Sequence, residues 1–289
     1  EIAYLESIVE LNPLHGPPAI SGFKACKAVM PRANHVGVFD TSYYSDLGEY
    51  AYIYPVPYEL YEKYKIRRYG FHGTSHRYVA GKAAELLGRK DAKIITCHLG
   101  NGSSITATKN GRAVDTSMGF TPQDGVPMGT RSGALDPTVV TYIMKAEGLS
   151  AEETDKLLNS KSGLLGVSGV SSDCRDVCKA AEAGNARAAL AIDILVHDIK
   201  KIIGSYFAEL DGADALVFTA GIGENDRNLR ERVCKNMSAL GIEIDEAVND
   251  SCPRGEIADI TKAGAKVKTF VIPTDEEYMI ALDTKNLTK

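Results

Sequence analysis

No apolar run in these 289 residues approaches the roughly 20 needed to span a bilayer, and the best, Ala215 to Ala220 with its flanks, has the length of a buried strand. An integral helical membrane protein is therefore not expected. There are no long blocks of like charge, and the net charge is only −5, from 33 Lys plus Arg against 38 Asp plus Glu. Neither a nucleic-acid groove nor an anionic membrane surface is implied, so any anionic ligand must be met by a few placed cations. Proline is scarce at 11, hydrophobic residues reach 44% and charged residues 25%, which excludes disordered, collagenous and coiled-coil chains. The six cysteines (26, 97, 174, 178, 234, 252) are scattered and no secretory leader precedes them. They read as reduced thiols in a cytoplasmic protein. Cys174 and Cys178 stand four apart without a second Cys or His pair, so two helix-face thiols are expected there rather than zinc.

The length suggests two domains. The first residue is Glu1, and an apolar helix-like pattern (Ile2, Leu5, Ile8, Val9) runs into prolines, as though the chain were cut at its start. His35 to Asp40 reads as a short buried strand, and Tyr43 to Tyr64, rich in Tyr and Pro, as connector. From Lys93 three antiparallel strands are expected: KIITCHL, SSITAT and RAVDTS, the last two joined by Asn110-Gly111, a type I′ hairpin pair. Helices follow over Pro137 to Glu147, Ala151 to Ser160, Asp176 to Ala183 and Ala186 to Glu209. Then come strand ALVFTA, a helix from Asn225 to Leu240, strand KVKTFVI and a last helix from Thr274. The order βββ, α, β, α, β, α is that of a ribonuclease-H-like unit.

Two glycine turns follow strands, Leu99 to Ser104 and Ala220 to Asn225. Both suit close backbone approach to a phosphate chain, or a plain turn. A third glycine is missing from each and no Gly-Lys-Ser/Thr ending occurs, so neither is a Rossmann or Walker fingerprint. In FHGTSH, His72 and His76 have helical i, i+4 spacing, but Gly73 stands where a zinc hydrolase needs Glu. A His there can donate to a transferring phosphoryl oxygen, or simply cap or fill a core. Arg131 lies between glycines in GTRSG, able to fork onto phosphate or to sit solvated in a loop. IPTDEE ends a strand with carboxylates suited to a metal's water or to a helix N-terminus.

Taken in order, VFDT, YGFHGTSH, CHLGNGSSI, TSMGFTP, MGTRSG, SGVSSDCRD, FTAGIGEN and IPTDEE resemble the acetate kinase (acetokinase) family from about Leu14 to the last helix. The resemblance implies an α/β protein of the duplicated ribonuclease-H-like fold shared by actin, acetate and sugar kinases and heat-shock proteins. The second domain, 43–276, would be complete and nucleotide-binding; the first, 1–42 plus 277–289, partial. It implies reversible phosphoryl transfer from ATP to acetate, giving acetyl phosphate and ADP, with Mg²⁺ or Mn²⁺, in a cytoplasmic homodimer without nucleic-acid or membrane partners. Propionate as acceptor, or a truncated nucleotide-binding paralogue without turnover, are the alternatives. Carried over by position, the catalytic residues are Asp40, His72 and Arg131, with His15 and His98 as further phosphoryl contacts. Nucleotide contacts fall on His98, Leu99, Gly100, Asn101 and Gly102, on Asp173, Cys174 and Arg175, and on Gly221, Ile222, Gly223, Glu224 and Asn225. Glu276 is the metal-side carboxylate, and Leu14, Phe71 and Pro122 form the methyl pocket.

The sequence also departs from that pattern. The family's N-terminal phosphate loop and second substrate arginine have no counterpart here, which leads to the expectation of little or no turnover by the chain as given. Ser42 to Gly48 replaces the family's usual run after FDT, Ala134 a common Asp and Cys174 a common Phe.

Overall fold

The computed structural model describes residues 2–9 and 16–289. Contacts divide the chain into two units, Asp40–Thr274 and Glu1–Phe39 with Asp275–Lys289. Helix α1 (Ile2–Ser7) and α2 (Gly16–Val29) open the smaller unit. Pro17 and Pro18 stand in the first turn of α2, where a missing N–H costs nothing, so they start a helix rather than end one. The strand expected over His35 to Asp40 does not form. Among the described residues no neighbour pairs with it, and Phe39 is more than half exposed. A strand without a ladder partner gains no hydrogen bonds to offset its ordering.

In the larger unit the Tyr- and Pro-rich connector is more ordered than expected. It holds a 3₁₀ turn over Ser42–Tyr44, then α3 (Glu49–Tyr52) and α4 (Tyr58–Tyr64). Helix α5 (Gly73–Leu87) leads into β1 (Lys93–Leu99), β2 (Ser103–Lys109) and β3 (Arg112–Thr116). Asn110 and Gly111 both take positive φ, as a type I′ turn requires. Helices α6 (Pro137–Glu147), α7 (Ala151–Ser160), α8 (Gly163–Ser168), α9 (Cys174–Glu182) and α10 (Ala186–Glu209) precede β4 (Ala215–Thr219). Next come α11 (Ala220–Asn225), α12 (Arg227–Cys234), α13 (Glu246–Ser251), β5 (Ala258–Asp259) and β6 (Lys268–Val271). Finally α14 (Glu276–Leu287) returns to the smaller unit.

The single helix expected over Asn225 to Leu240 is broken at Asp226. Its carboxylate accepts the Leu229 N–H at 2.9 Å, and an N-cap residue must leave helical dihedrals. Asp173 caps α9 in the same way, which starts that helix at Cys174 rather than Asp176.

The sheet order is β3-β2-β1-β4-β6-β5, with β1, β4 and β6 parallel and β1-β2-β3 antiparallel. Alternation along β1 and β2 gives this sheet two unlike faces. Ile95, Cys97, Leu99, Ile105 and Ala107 pack beneath α10, whose Ala188, Ala191, Ile192, Leu195, Ile199 and Ile203 recur at helical spacing. The opposite face carries Thr96, His98, Ser104, Thr106 and Thr108, all buried, and is covered by α5 and the 3₁₀ turn.

Tyr44 seals that polar face. Its hydroxyl donates to the Phe71 carbonyl at 2.8 Å and lies 3.1 Å from Thr106 Oγ1, and its ring is 1% exposed. Tyr44→Phe should therefore lower unfolding free energy by about 1–3 kcal/mol, because it strands buried partners without opening a cavity. A denaturant midpoint that moves down at unchanged slope is the expected result.

Candidate active site

The carboxyl ends of β1 and β4 lie side by side, His98 opposite Thr219, so the two glycine segments meet at one edge of the sheet. A Cβ on Gly100 would stand 3.8 Å from that of Ala220. In open α/β sheets this is where ligands bind.

Three histidines gather beside it. The rings of His72 and His98 stack at 4.1 Å and 15°, and His76 lies 6.0 Å from His98. Their hydrogen bonds form a continuous chain. Thr96 Oγ1 lies 2.6 Å from His76 Nδ1 and 3.4 Å from the Thr106 carbonyl. His76 Nε2 lies 2.7 Å from Ser104 Oγ, which in turn lies 2.8 Å from His72 Nδ1. The orientation of the His72 ring is thereby fixed. Burial and the neighbouring histidines hold His76 well below the ordinary imidazole range. Burial, and then His72, push His98 down to about 3, against a smaller opposing pull from Asp40. Thr274 donates to Ser75 Oγ at 2.8 Å, leaving the Ser75 hydrogen for His98 Nδ1, also 2.8 Å away.

His72 sits at φ 58 just before α5, a left-handed conformation that a non-glycine residue adopts only when held. Asp40 holds it. The carboxylate accepts the His72 N–H at 2.6 Å and, more weakly, the Thr74 N–H at 3.4 Å, while the Asp40 carbonyl accepts from Gly73 at 2.9 Å. A Cβ on Gly73 would stand 2.2 Å from that carbonyl oxygen, so only glycine permits the approach. In this chain Asp40 therefore acts visibly as the clamp on the His72 backbone.

Arg131 arrives from the loop between β3 and α6. Its Nη1 donates to the Pro122 carbonyl at 2.8 Å and touches Met128 Sδ, and among the described residues no carboxylate pairs with it. Burial alone lowers its pKa. Thr130, Met128 and Gly129 carbonyls accept N–H groups from Ser162, Leu164 and Leu165, which pins the loop to the start of α8. A Cβ on Gly102 would lie 3.3 Å from His72 Nε2 and 3.5 Å from Arg131 Nη1. Two cation-forming groups thus converge on a bare backbone position of the first glycine turn.

The remaining expected site residues are placed as follows. Leu99 is buried in the core, so it can offer a ligand only backbone, whereas Asn101 is exposed with its Oδ1 against Gly129. Asp173 and Arg175 form an exposed ion pair with each other. Cys174 turns inward to the core and toward Cys178. Gly221, Ile222, Gly223, Glu224 and Asn225 belong to α11 itself rather than to a turn before a helix. Gly223 faces β1, where a Cβ would touch Cys97 and Phe218 backbone at 3.5 Å, while Gly221 faces open space. Glu224 accepts from Ala220 and Thr274 N–H groups. Phe71 and Pro122 each supply a carbonyl, to Tyr44 and to Arg131. Glu276 opens α14 in the smaller unit, and His15 and Leu14 lie outside the described residues.

Ser104, His76, Ser75 and Thr274 were not singled out as site residues. The available signal was polar alternation in strands otherwise apolar, together with the i, i+4 pair His72 and His76. Arg230 gave no signal at all: fully buried, it donates to the Gly223 and Glu224 carbonyls and to Asn249 Oδ1, closing the end of α11.

The histidine floor predicts acid sensitivity. Unfolded histidines take up protons near pH 6.5, whereas His98 does so only near pH 3 and His76 well below its ordinary value. The unfolded state therefore binds more protons throughout that interval, so stability is full above pH 6.5 and falls as pH drops toward 3. The slope should reach about 1.4 kcal/mol per pH unit for each buried histidine. Unfolding free energies measured from pH 7 to 4 should show it, and His98→Asn should flatten it.

The Acetokinase family matches residues 1–282. An acetate kinase of Methanosarcina barkeri is 54% identical over 282 residues, covering 97% of this chain and 69% of that protein. The crystal structure of Porphyromonas gingivalis acetate kinase superposes with TM-score 0.95 at 49% identity, covering 100% of this chain and 72% of that one. A propionate kinase from Francisella tularensis superposes with TM-score 0.93 at 42% identity, covering 99% and 73%. The fold is shared with these kinases over nearly the whole chain, and the chain belongs to the acetokinase family.

Proposed function

We propose that this protein is an acetate kinase, transferring the γ-phosphoryl group of ATP reversibly to a carboxylate oxygen of acetate to give acetyl phosphate and ADP. The observation that carries this reading is the convergence of His72 Nε2 and Arg131 Nη1 on Gly102, with no carboxylate neutralising Arg131 among the described residues. A carboxylate acceptor is already ionised at neutral pH and needs no general base. What transfer requires is in-line positioning and positive charge against the three equatorial phosphoryl oxygens. The Ser104 hydroxyl, 2.8 Å from His72 Nδ1, orients the ring so that Nε2 faces Gly102 beside the Arg131 guanidinium. The His98 ring is stacked on it. Asp40 keeps the strained His72 backbone in register with that target.

In this reading the nucleotide lies across the glycine segments 98–102 and 221–225, with Asp173 and Arg175 beside it, and the domain comprising 43–276 is the nucleotide-binding one. Asp40 uses one lone pair of each oxygen on backbone N–H groups, so others remain for a metal-bound water. That donor type fits Mg²⁺, or Mn²⁺, held through waters and substrate phosphates with Glu276 as a further oxygen donor. When bound, the cation supplies charge neutralisation at the phosphates. His15 and Leu14 remain assigned to phosphoryl contact and to the methyl pocket with Phe71 and Pro122. A cytoplasmic homodimer belongs to the same reading, and among the described residues no helix is long and apolar enough to cross a membrane. Propionate remains the rival acceptor because a propionate kinase shares the fold. One methylene is worth about 1–3 kcal/mol in such a pocket, so the ratio of kcat/KM for the two acids decides it.

His72→Ala and Arg131→Ala should each lower kcat about 10²- to 10³-fold, with KM for ATP little changed, in a hydroxamate assay for acetyl phosphate. Unchanged kcat with a raised KM would refute the assignment. Gly221→Val, which meets open space in the fold, should weaken ATP binding at least tenfold by calorimetry without lowering thermal stability. Gly223→Val would instead disturb packing on β1 and cannot serve as that test.

A further inference from the structure

Apart from the histidine and arginine cluster, the larger unit holds a second concentration of chemistry-bearing groups. Cys174 opens α9 and Cys178 follows one turn later, so both sulfurs project from one face of that helix. Their Sγ atoms stand 4.0 Å apart, and Cys178 Sγ lies 3.9 Å from Asp226 Oδ2, at the break between α11 and α12. Among the described residues these three are the one grouping whose ligand atoms all lie within 4.8 Å of one another.

We propose that Cys174, Cys178 and Asp226 form a site for a thiophilic divalent cation, with Zn²⁺ as its reference ligand.

The distances favour a metal over a sulfur–sulfur bond. A disulfide needs its sulfurs at about 2.05 Å, half of what is found. Two thiolates on a tetrahedral Zn²⁺ at about 2.3 Å stand about 3.8 Å apart, within a few tenths of the separation here. The carboxylate is aimed by its own structural duty. Asp226 Oδ1 accepts the Leu229 N–H, and this leaves Oδ2 turned to Cys178. Cys174 is buried, while Cys178 and Asp226 are only half-buried, so an ion can enter from the open side and keep a water as fourth ligand. Two thiolates and one carboxylate more than balance the dication, and soft sulfur donors select Zn²⁺ or Cd²⁺ over Mg²⁺. On binding, each thiol gives its proton to solvent and two Zn–S bonds and one Zn–O bond form, with no change of oxidation state. The site uses none of the residues assigned to phosphoryl transfer. Of the nucleotide assignments it shares only Cys174, whose thiol faces inward.

Equilibrium dialysis of the full chain against Zn²⁺ in a large excess of Mg²⁺ tests the proposal. One Zn²⁺ per chain should be retained, and Co²⁺ in its place should show thiolate-to-cobalt charge-transfer absorption. Losing a mere outer-shell partner costs about 10- to 100-fold in metal affinity, so Cys178→Ser should weaken Zn²⁺ by at least about 100-fold and abolish most of the Co²⁺ band. Asp226→Asn keeps the helix cap and should weaken Zn²⁺ by about tenfold or more. Cys26→Ser, which removes an exposed thiol of the other unit, should change nothing. Absence of stoichiometric Zn²⁺ under these conditions, or equal retention by a folded Cys178→Ser chain, would overturn it.

Discussion

The polar face of the β1-β2 hairpin governs the architecture around the site. Thr96, His98, Ser104, Thr106 and Thr108 are all buried there, and a buried hydroxyl or imidazole without a partner costs on the order of 1–3 kcal/mol. The face can be covered only by elements that return hydrogen bonds atom for atom. Helix α5 supplies Ser75 and His76, the 3₁₀ turn supplies Tyr43 and Tyr44, and the loop between them supplies His72. Satisfying the sheet and assembling the histidine cluster are one event. The left-handed backbone of His72 follows from it, because the chain must turn sharply into α5 while its ring reaches Ser104, and Asp40 with Gly73 makes that turn tolerable.

A different constraint holds Arg131. A half-buried guanidinium without a carboxylate is unfavourable, and its loop keeps it by spending neutral groups: the Pro122 carbonyl at the guanidinium, and three loop carbonyls bonded to the start of α8. Gly163 makes the latter contact possible, since a Cβ there would stand 2.1 Å from the Met128 carbonyl oxygen. The cation is thus positioned without being neutralised, which is the condition for preorganised stabilisation of charge that appears only during transfer.

Much of this was legible in the sequence. The type I′ hairpin, the long amphipathic α10 and the three antiparallel strands β1 to β3 followed from local chemistry: Asn110-Gly111, apolar spacing at three and four, and alternation in β1 and β2. The ordered motifs carried the family, and with it His72 and Arg131. What stayed hidden needed partners from far along the chain. His76 and Ser104 become linked only through the α5-to-β2 contact, and Thr274 reaches Ser75 across 199 residues. Asp226 looks like an interior helix residue until its side chain is seen capping α12. Asp40 entered as a catalytic residue by resemblance, and its bond to the His72 N–H could not be inferred from spacing. The stretch before it had strand composition but, among the described residues, no neighbour to pair with. Gly221 and Gly223 are indistinguishable as letters, yet one faces open space and the other faces the backbone of β1.

The charge arrangement follows from the same burial that builds the floor. His76 and His98 are deep enough that protonating either would cost more than any partner there returns, so positive charge is confined to the layer above them. That layer contains His72, whose Nδ1 is hydrogen-bonded to Ser104, and Arg131, whose charge no carboxylate among the described residues cancels. Stacking His72 on the buried His98 ring at 4.1 Å supports it without adding a competing charge. An anionic group entering at Gly102 therefore meets two donors from one side, with a wall of buried, hydrogen-bonded imidazoles and hydroxyls beside them. Such a wall cannot relax toward the anion, so the donors need not reorganise as charge builds on the transferring group, and the field they exert is already in place when the bond begins to break.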